Sequence, residues 1–291
     1  MPLTHTRTFR VRHYECDGAG HLNHANYLRY MQEAAFDASR EAGYGIGAYD
    51  ALGAHWLIRE TDIEYLHPLV YDDRVRVTTY VEDFRRVRSR RAYEFTREAD
   101  DLLVARATTD WVYLDAQTGR PTPIPPEMAA AFRPEGSAQS APRQRFPDAP
   151  PPPPGVYVVP RAVEWRDIDP MGHVNNATYL AYVEDAAFQA SAAFGWPLAR
   201  MQAEGFAIVA RRHQIEYRLP ALPGDELAVS TWFSDRRAAS ALRHTTISRP
   251  ADDALLARAH TRWVWVDATT GRPLRLPPDL VESFAPNRST G

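Results

Sequence analysis

An aspartate, a histidine and an asparagine recur with the same spacing at two places in the chain. Residues 17–23 read Asp-Gly-Ala-Gly-His-Leu-Asn, and residues 169–175 read Asp-Pro-Met-Gly-His-Val-Asn. Each aspartate stands just before a predicted helix, whose N-terminus offers backbone N–H groups without intrahelical partners. Such amides can polarise a carbonyl oxygen, while the carboxylate attacks the carbonyl carbon or takes a proton from water.

The same residue types also have a structural interpretation. Aspartate and asparagine often cap a helix or a turn through their side-chain oxygens. Histidine, at 21 and 173, adds little to a cap and titrates near neutral pH, which favours chemistry. Gly20 and Gly172 would let the backbone approach a ligand closely, so both are candidate substrate-binding positions. The spacing alone leaves the structural and the chemical interpretation open.

The turn belongs to an internal repeat with a constant offset of 152 residues, the distance from Asp17 to Asp169. At the same offset, Ile-Glu-Tyr at 63–65 returns at 215–217, and Thr-Gly-Arg-Pro at 118–121 returns at 270–273. Solenoid repeats are about 20 to 50 residues long, so two copies of this length indicate a duplicated domain.

A proline-rich segment separates the two copies. Residues 133–160 include Gly-Ser-Ala-Gln-Ser at 136–140 and five consecutive prolines at 150–154, a composition that cannot pack a core. The sequence therefore predicts domain 1 at residues 1–132, a linker at 133–160 and domain 2 at 161–291. The linker is long enough to place the second copy against the first, and a loose tether is the alternative.

Each copy reads as a strand, one long helix and then four strands. In the first copy a short strand is predicted at 9–14, and residues 25–42 carry apolar side chains at helical spacing with no proline or glycine. Gly43 is expected to end that helix. The four further strands are predicted at 56–65, 74–83, 89–98 and 102–114. An antiparallel sheet wrapped around the helix, an α+β fold, is the expected arrangement.

The overall composition excludes several classes of protein. The 291 residues are 44% hydrophobic and 24% charged, with a formal net charge of −3, which is typical of a folded domain and offers no general basic surplus for nucleic acid. The lone Cys16 cannot form an internal disulfide, the N-terminus lacks a secretory signal, and no apolar run reaches membrane-spanning length. We expect a cytoplasmic protein with no membrane or nucleic-acid partner. No metal-ligand spacing or glycine-rich phosphate loop is present, so no metal or cofactor is predicted.

At residues 17–27 and 169–179 the chain resembles the hotdog-fold thioesterases. The first copy, with His-Ala-Asn-Tyr at 24–27, is similar to bacterial acyl-CoA thioesterases of the 4-hydroxybenzoyl-CoA thioesterase group. The second copy, with Gly-His-Val-Asn-Asn at 172–176, looks more like the plant-type acyl-ACP thioesterases. The resemblance implies two tandem hotdog domains, each an antiparallel sheet wrapped around one long helix. It also implies that they pair as an intrachain pseudo-dimer with thioester sites at the pair interface.

The resemblance also implies roles for individual residues. Asp17 and Asp169 match the family's catalytic acid, and the backbone amides of His24 and Asn176 match the donor to the thioester carbonyl. The His24 side chain, His173 and Asn175 are also matched, as is a carboxylate later on each helix, Glu33 and Asp185. His21 and Asn23 are candidate site residues because they complete the cluster of the first turn. Ala19 and Met171 stand where the acyl-ACP enzymes carry asparagine, and position 176 is not histidine. Either copy could therefore be the weaker or inactive one.

Arginines supply candidate contacts for the phosphates of coenzyme A or for acidic groups of a carrier protein. Residues 85–91 hold five arginines, including Arg88 and Arg90, whose planar guanidinium groups suit phosphate. A hairpin edge protected by charge is an equally open interpretation. Arg59 and Arg211, one per copy, are weaker candidates for the same role.

The predicted function is hydrolysis of acyl-CoA or acyl-ACP to a free acid and a thiol. Water is the second substrate, so the reaction needs no cofactor. Two alternatives remain: a hotdog hydratase or dehydratase acting on acyl thioesters, and a non-catalytic acyl-CoA binding module. A further association of such chains into a homodimer is also open.

Overall fold

The computed structural model describes residues 2–133 and 143–289. The chain divides into two compact units, Met1–Arg145 and Phe146–Gly291, which we call the first and the second unit. Residues 134–142 of the predicted linker lie outside the described residues. Its last four residues, 157–160, belong to the first strand of the second unit. That strand lies at the edge of its sheet, where a proline such as Pro160 costs little because one side of the strand has no ladder to complete.

The first unit consists of one long helix, five strands and two short helices. These are β1 (Thr4–Arg10), α1 (His24–Glu41), α2 (Ile46–Ala51), β2 (Ala54–Tyr65), β3 (Arg74–Phe84), β4 (Arg88–Arg97), β5 (Leu102–Asp115) and α3 (Pro126–Phe132). The strands are antiparallel in the order β1-β3-β4-β5-β2. The strand predicted at 9–14 is displaced, because the Glu15 carboxylate accepts the backbone N–H of Arg12 (2.8 Å) and folds His13–Glu15 into a 3-10 turn.

The second unit repeats this plan element by element. Its elements are β6 (Tyr157–Ala162), α4 (Asn176–Ala193), α5 (Leu198–Ala203), β7 (Phe206–Tyr217), β8 (Glu226–Ser234), β9 (Ser240–Arg249), β10 (Ala254–Asp267) and α6 (Pro278–Ser283). The strands are antiparallel in the order β6-β8-β9-β10-β7, the counterpart of the first unit. The predicted α+β fold, an antiparallel sheet against one long helix, is confirmed in each unit.

The long helix packs against one face of its own sheet. Helix α1 contacts β1 and β3, and the ring of Tyr27 lies 5.3 Å from that of Phe95 on β4. Helix α4 contacts β6 and β8 in the same way. As predicted, Gly43 follows the end of α1 with a φ of +88°, a conformation that favours glycine. Within residues 2–133 and 143–289, no helix is both long and apolar enough to cross a membrane.

The sheet face away from the helix differs chemically between the units. In the first unit this face carries a buried ion-pair cluster. Arg90 lies 2.7 Å from Asp110, and Arg143 contacts both Asp110 (3.0 Å) and Asp83. Asp83 and Asp110 are almost fully buried, so the arginines neutralise carboxylates that would otherwise be costly to bury.

In the second unit the corresponding face holds two buried histidines. His244 and His260 stand directly opposite each other on β9 and β10, with ring centroids 4.6 Å apart. The Oγ of Ser234 lies 2.6 Å from the Nε2 of His244, and the ring of Phe146 covers His260 at 5.0 Å. Burial lowers the pKa of His244 to about 3, and the neighbouring His260 contributes to this shift. Burial lowers the pKa of His260 to about 4, and the charge of Arg258 contributes to that shift. Both rings are therefore neutral in the folded protein near neutral pH.

The buried histidines predict a steep loss of stability in acid. The unfolded chain binds their protons below about pH 6.5 while the folded protein excludes them down to about pH 4, and each unit of pKa shift corresponds to about 1.4 kcal/mol. The first unit has Ala92 and Thr108 at the two equivalent positions. Replacing His244 with Ala and His260 with Thr should therefore make the free energy of unfolding depend less on pH between 6.5 and 4.

Urea denaturation at a series of pH values measures this slope, and every other titratable group is unchanged in the double variant. Equal slopes for the wild type and the variant would show that the two histidines do not cause the acid sensitivity.

Candidate active site

The turn of the first unit is organised by one oxygen of Asp17. Its Oδ1 accepts the backbone N–H groups of Ala19 (2.8 Å) and His21 (3.1 Å), while its own N–H donates to the carbonyl of His21 (2.8 Å). Gly20 takes a φ of +80°, and no atom lies within 4 Å of the position that a Cβ would occupy. The glycine is therefore required by the backbone conformation, and the space beside it is open to a ligand.

The turn of the second unit involves both oxygens of Asp169. Oδ1 accepts the N–H of Met171 (2.9 Å), and Oδ2 accepts a hydrogen bond from the side-chain amide of Asn175 (3.2 Å). The Nδ1 of His173 lies 3.8 Å from Oδ1. Gly172 again has a φ of +80° with open space beside it. The aspartate, histidine and asparagine predicted from the sequence thus form one connected cluster here.

The asparagine of each turn caps the long helix that follows. In the first unit, the Oδ1 of Asn23 accepts the N–H of Ala25 (3.0 Å), and its backbone carbonyl accepts the N–H of Asn26 (2.9 Å). The cap uses the second and third amides of α1 and does not use the first, that of His24. The second unit repeats the same cap, and Asn176 is the first residue of its helix. Asn175 accepts the N–H of Ala177 (2.9 Å) through its side chain and the N–H of Thr178 (2.9 Å) through its backbone carbonyl. The first amide of each helix is therefore the candidate donor to a carbonyl oxygen.

The first helical residue differs between the two units. The ring of His24 packs edge-on against Tyr65 of β2, with centroids 4.4 Å apart, and lies further from Tyr27 at 6.5 Å. In the second unit the carbonyl of Asn176 accepts a hydrogen bond from the hydroxyl of Tyr217 (3.1 Å). Only the first unit places a titratable side chain at this position.

One residue in the loop after β2 or β7 holds the turn and the helix together. In the second unit, the carbonyl of Ala221 accepts the N–H of Val174 (3.0 Å), and its N–H donates to the hydroxyl of Tyr179 (2.8 Å) on α4. In the first unit the carbonyl of Leu69 accepts the N–H of Leu22 (2.7 Å). Burial raises the pKa of Tyr179 to about 12, so its hydroxyl stays protonated across the physiological range.

A second carboxylate, which was not among the residues predicted from the sequence, supports each turn. Glu15 accepts a hydrogen bond from the hydroxyl of Tyr30 (2.6 Å), and its carbonyl accepts the N–H of Asn23 (2.9 Å). Asp167 and Tyr182 form the same 2.6 Å bond in the second unit. Burial and this bond raise the pKa of both tyrosines. The repeat could have identified this pair, because the offset of 152 residues relates Glu15 to Asp167 and Tyr30 to Tyr182.

The carboxylates predicted further along the helices lie away from the turns of their own units. Glu33 is exposed and forms an ion pair with Arg7 of β1 (3.2 Å), and Asp185 is exposed and pairs with Arg161 of β6 (2.6 Å). Each is nine residues after the first residue of its helix, which at 1.5 Å per residue places it about 14 Å along the axis. Neither unit therefore brings this carboxylate to its own turn, and both side chains have a structural partner on an edge strand.

The neighbour of Asp185 is the buried carboxylate of α4. Glu184 lies on the inner face of the helix, and its Oε1 is 3.7 Å from the Nε2 of His213 on β7. The Nδ1 of His213 lies 2.9 Å from the hydroxyl of Thr261. Helical spacing could have found this residue, because Glu184 follows the buried Leu180 by four positions. The first unit has Gln32 and Thr61 at these places.

The four predicted phosphate-binding arginines have different surroundings. Arg88 is exposed at the start of β4, whereas Arg90 points to the buried Asp110 and is already paired there. Arg59 and Arg211 are half-buried, and each is the extra residue of a β-bulge, in β2 and β7. A bulge redirects a side chain out of the regular alternation, which is frequent near functional sites. Of the four, Arg88 has the exposure that a phosphate contact needs.

Comparisons with known proteins identify a family for both units. The family model of the thioesterase-like superfamily matches the chain twice, at residues 11–132 and 163–284. The long-chain acyl-CoA thioesterase FadM of Escherichia coli is 30% identical over 120 residues, which are 40% of this chain and 88% of that protein. The chloroplastic palmitoyl-acyl carrier protein thioesterase of Gossypium hirsutum is 22% identical over 279 residues, covering 90% of this chain and 64% of the cotton protein.

A solved structure shows the same fold over nearly the whole chain. The crystal structure of a Lactobacillus plantarum protein, assigned as an oleoyl thioesterase, has a TM-score of 0.80 at 20% identity and covers 94% of this chain and 98% of its own. That match confirms the predicted tandem hotdog architecture. With one copy of the family domain matched in each of its two units, the chain belongs to the thioesterase-like superfamily.

Proposed function

We propose that this chain hydrolyses acyl thioesters of coenzyme A or acyl carrier protein to a free acid and a thiol. The observation that carries the proposal is the junction of turn and helix, where an aspartate carboxylate precedes a capped helix by a few residues. The cap does not use the first helical amide, and the carboxylate stands in the turn that precedes the helix. Those are the two groups that acyl transfer to water requires.

The proposed reaction needs only these groups and water. The thioester carbonyl oxygen accepts the N–H of the first helical residue, and the helix dipole stabilises the negative charge that develops there. The carboxylate takes a proton from a water molecule while the oxygen of that water bonds to the carbonyl carbon. The carbon–sulfur bond then breaks, and the sulfur leaves with the proton that the carboxylate held. Acyl thioester and water thus become carboxylic acid and thiol, and the aspartate is regenerated.

The names of the relatives support two kinds of thiol carrier. FadM is named for long-chain acyl-CoA, and the cotton relative is named for palmitoyl-acyl carrier protein. The exposed Arg88 is a candidate contact for a phosphate of either carrier. Pairing of the two units across their sheets, association of whole chains into a homodimer, and a cytoplasmic location stay predictions.

Replacing the turn aspartate in both units tests the proposal. Since either turn could supply the base, the variant is Asp17→Asn combined with Asp169→Asn. We expect kcat to fall by on the order of a thousandfold, because both the proton acceptor and its electrostatic contribution are lost. Thiol release should be measured with short-, medium- and long-chain acyl-CoA, benzoyl-CoA and an acyl carrier protein thioester.

Circular dichroism provides the control, because asparagine retains an oxygen that can accept the turn amides and the variant should fold. A folded double variant that releases thiol at the wild-type rate would refute the assignment of the base.

The two alternative functions give different outcomes with the same protein. A hydratase would convert an enoyl-CoA to its hydroxyacyl product, and a binding module would retain acyl-CoA in equilibrium dialysis without releasing thiol. For the wild-type chain we expect thiol release from saturated acyl thioesters and no hydration of enoyl-CoA. Hydration without thiol release, or binding without turnover of any thioester in the panel, would contradict hydrolysis.

A further inference from the structure

We infer that the two turns have different roles: Asp17 is the base for hydrolysis, and Asp169 holds the start of α4 in place. The inference rests on the proposed function and assigns the chemistry to one of two positions that the repeat makes equivalent. It follows from the hydrogen bonds of the two carboxylates, which differ although the backbones of the two turns are the same.

Asp17 keeps one oxygen outside the hydrogen bonds of its turn. Among residues 2–133 and 143–289, both hydrogen bonds to this carboxylate go to Oδ1, from the amides of Ala19 and His21. Those two bonds fix the orientation of the carboxylate with respect to the helix start. A base must present an oxygen lone pair to the water that it deprotonates, and Oδ2 is held ready to do so.

Asp169 has both of its oxygens engaged within its own unit. Oδ1 accepts the N–H of Met171, and Oδ2 accepts the side-chain amide of Asn175. Asn175 in turn caps α4 by accepting the N–H of Ala177, so the carboxylate is the outer member of a chain of hydrogen bonds that ends on the helix. The Asp169 side chain is only 11% exposed. This arrangement is that of a capping residue, in which proton transfer to Oδ2 would break the bond from Asn175.

The residue at the helix start agrees with this division. His24 places an imidazole at the first position of α1, seven residues after Asp17, whereas Asn176 places an amide without acid–base chemistry at the first position of α4. Imidazole is the side chain suited to exchanging protons near neutral pH. The first unit therefore combines a carboxylate oxygen outside the hydrogen bonds of its turn with an imidazole at the first helical position, and the second unit has neither.

The same substitution at the two equivalent positions tests the inference. We expect Asp17→Asn to lower kcat for acyl-CoA hydrolysis at least about a hundredfold, the size of a general-base effect. It should leave the melting temperature nearly unchanged, because the asparagine oxygen can accept the amides of Ala19 and His21. Asp169→Asn should lower kcat by a much smaller factor than Asp17→Asn does.

A structural role for Asp169 also predicts a change in stability. In Asp169→Asn, the new amide group can face the amide of Asn175, and the bond between the two side chains is lost. The melting temperature should fall, and adding Asn175→Asp should restore it, because donor and acceptor are then exchanged and the new carboxylate can still accept the N–H of Ala177. Recovery of the melting temperature in the double variant is a result that a catalytic role for Asp169 does not predict.

Each result has one meaning. A loss of kcat in Asp169→Asn as large as that in Asp17→Asn, or a larger one, overturns the inference while leaving hydrolysis intact. Retained activity in Asp17→Asn also overturns it. Absence of thiol release by the wild-type chain with every thioester of the panel refutes the proposed function itself, which separates that failure from failure of the inference.

Discussion

The structure of the site depends on how the long helix begins. An α-helix leaves its first amides without intrahelical acceptors, and in each unit one asparagine satisfies two of them, through its side chain and through its carbonyl. This cap does not use the first amide, which is therefore the candidate donor at the positive end of the helix dipole. Three further features fix this junction: the aspartate turn, the loop residue after β2 or β7 (Leu69 or Ala221), and the carboxylate of the preceding 3-10 turn. The sheet supplies the rigid support on which the helix rests.

Duplication separates what the fold requires from what the chemistry requires. The hydrogen bonds that occur in both units hold the junction together: the asparagine cap, the tyrosine hydroxyl on the carboxylate of the 3-10 turn, and the bond from the turn to the following loop. Several positions with titratable side chains differ between the units, such as His24 against Asn176 and Glu184 against Gln32. The buried histidines of the second unit, His244 and His260, correspond in the repeat to Ala92 and Thr108 of the first unit. The junction is thus the same in both units, while some of the titratable groups around it differ.

The sequence predicted the parts of the molecule that depend on local pattern. Apolar periodicity and Gly43 located α1 to within a residue, and the repeat transferred that helix and its strands to the second unit. The sequence did not predict the contacts between residues that are distant along the chain. Glu33 and Asp185 look like site carboxylates when only chain order is known, yet each meets an arginine on an edge strand. Arg90 reads as an exposed hairpin charge until Asp110, on the adjacent strand, is placed beside it. The turn at His13–Glu15 replaced a predicted strand because one carboxylate captured a backbone amide three residues earlier.

A crystal structure of the Asp17→Asn variant with a hydrolysable acyl-CoA tests the central claim most directly. Removing the base should trap the intact thioester, since the carbonyl can still bind to the helix start. The account predicts a thioester carbonyl oxygen on the amide of His24, with the carbonyl carbon or an attacking water within about 3.5 Å of the side chain at position 17. A thioester bound instead at residues 169–176, with no ligand at residues 17–24, would contradict it.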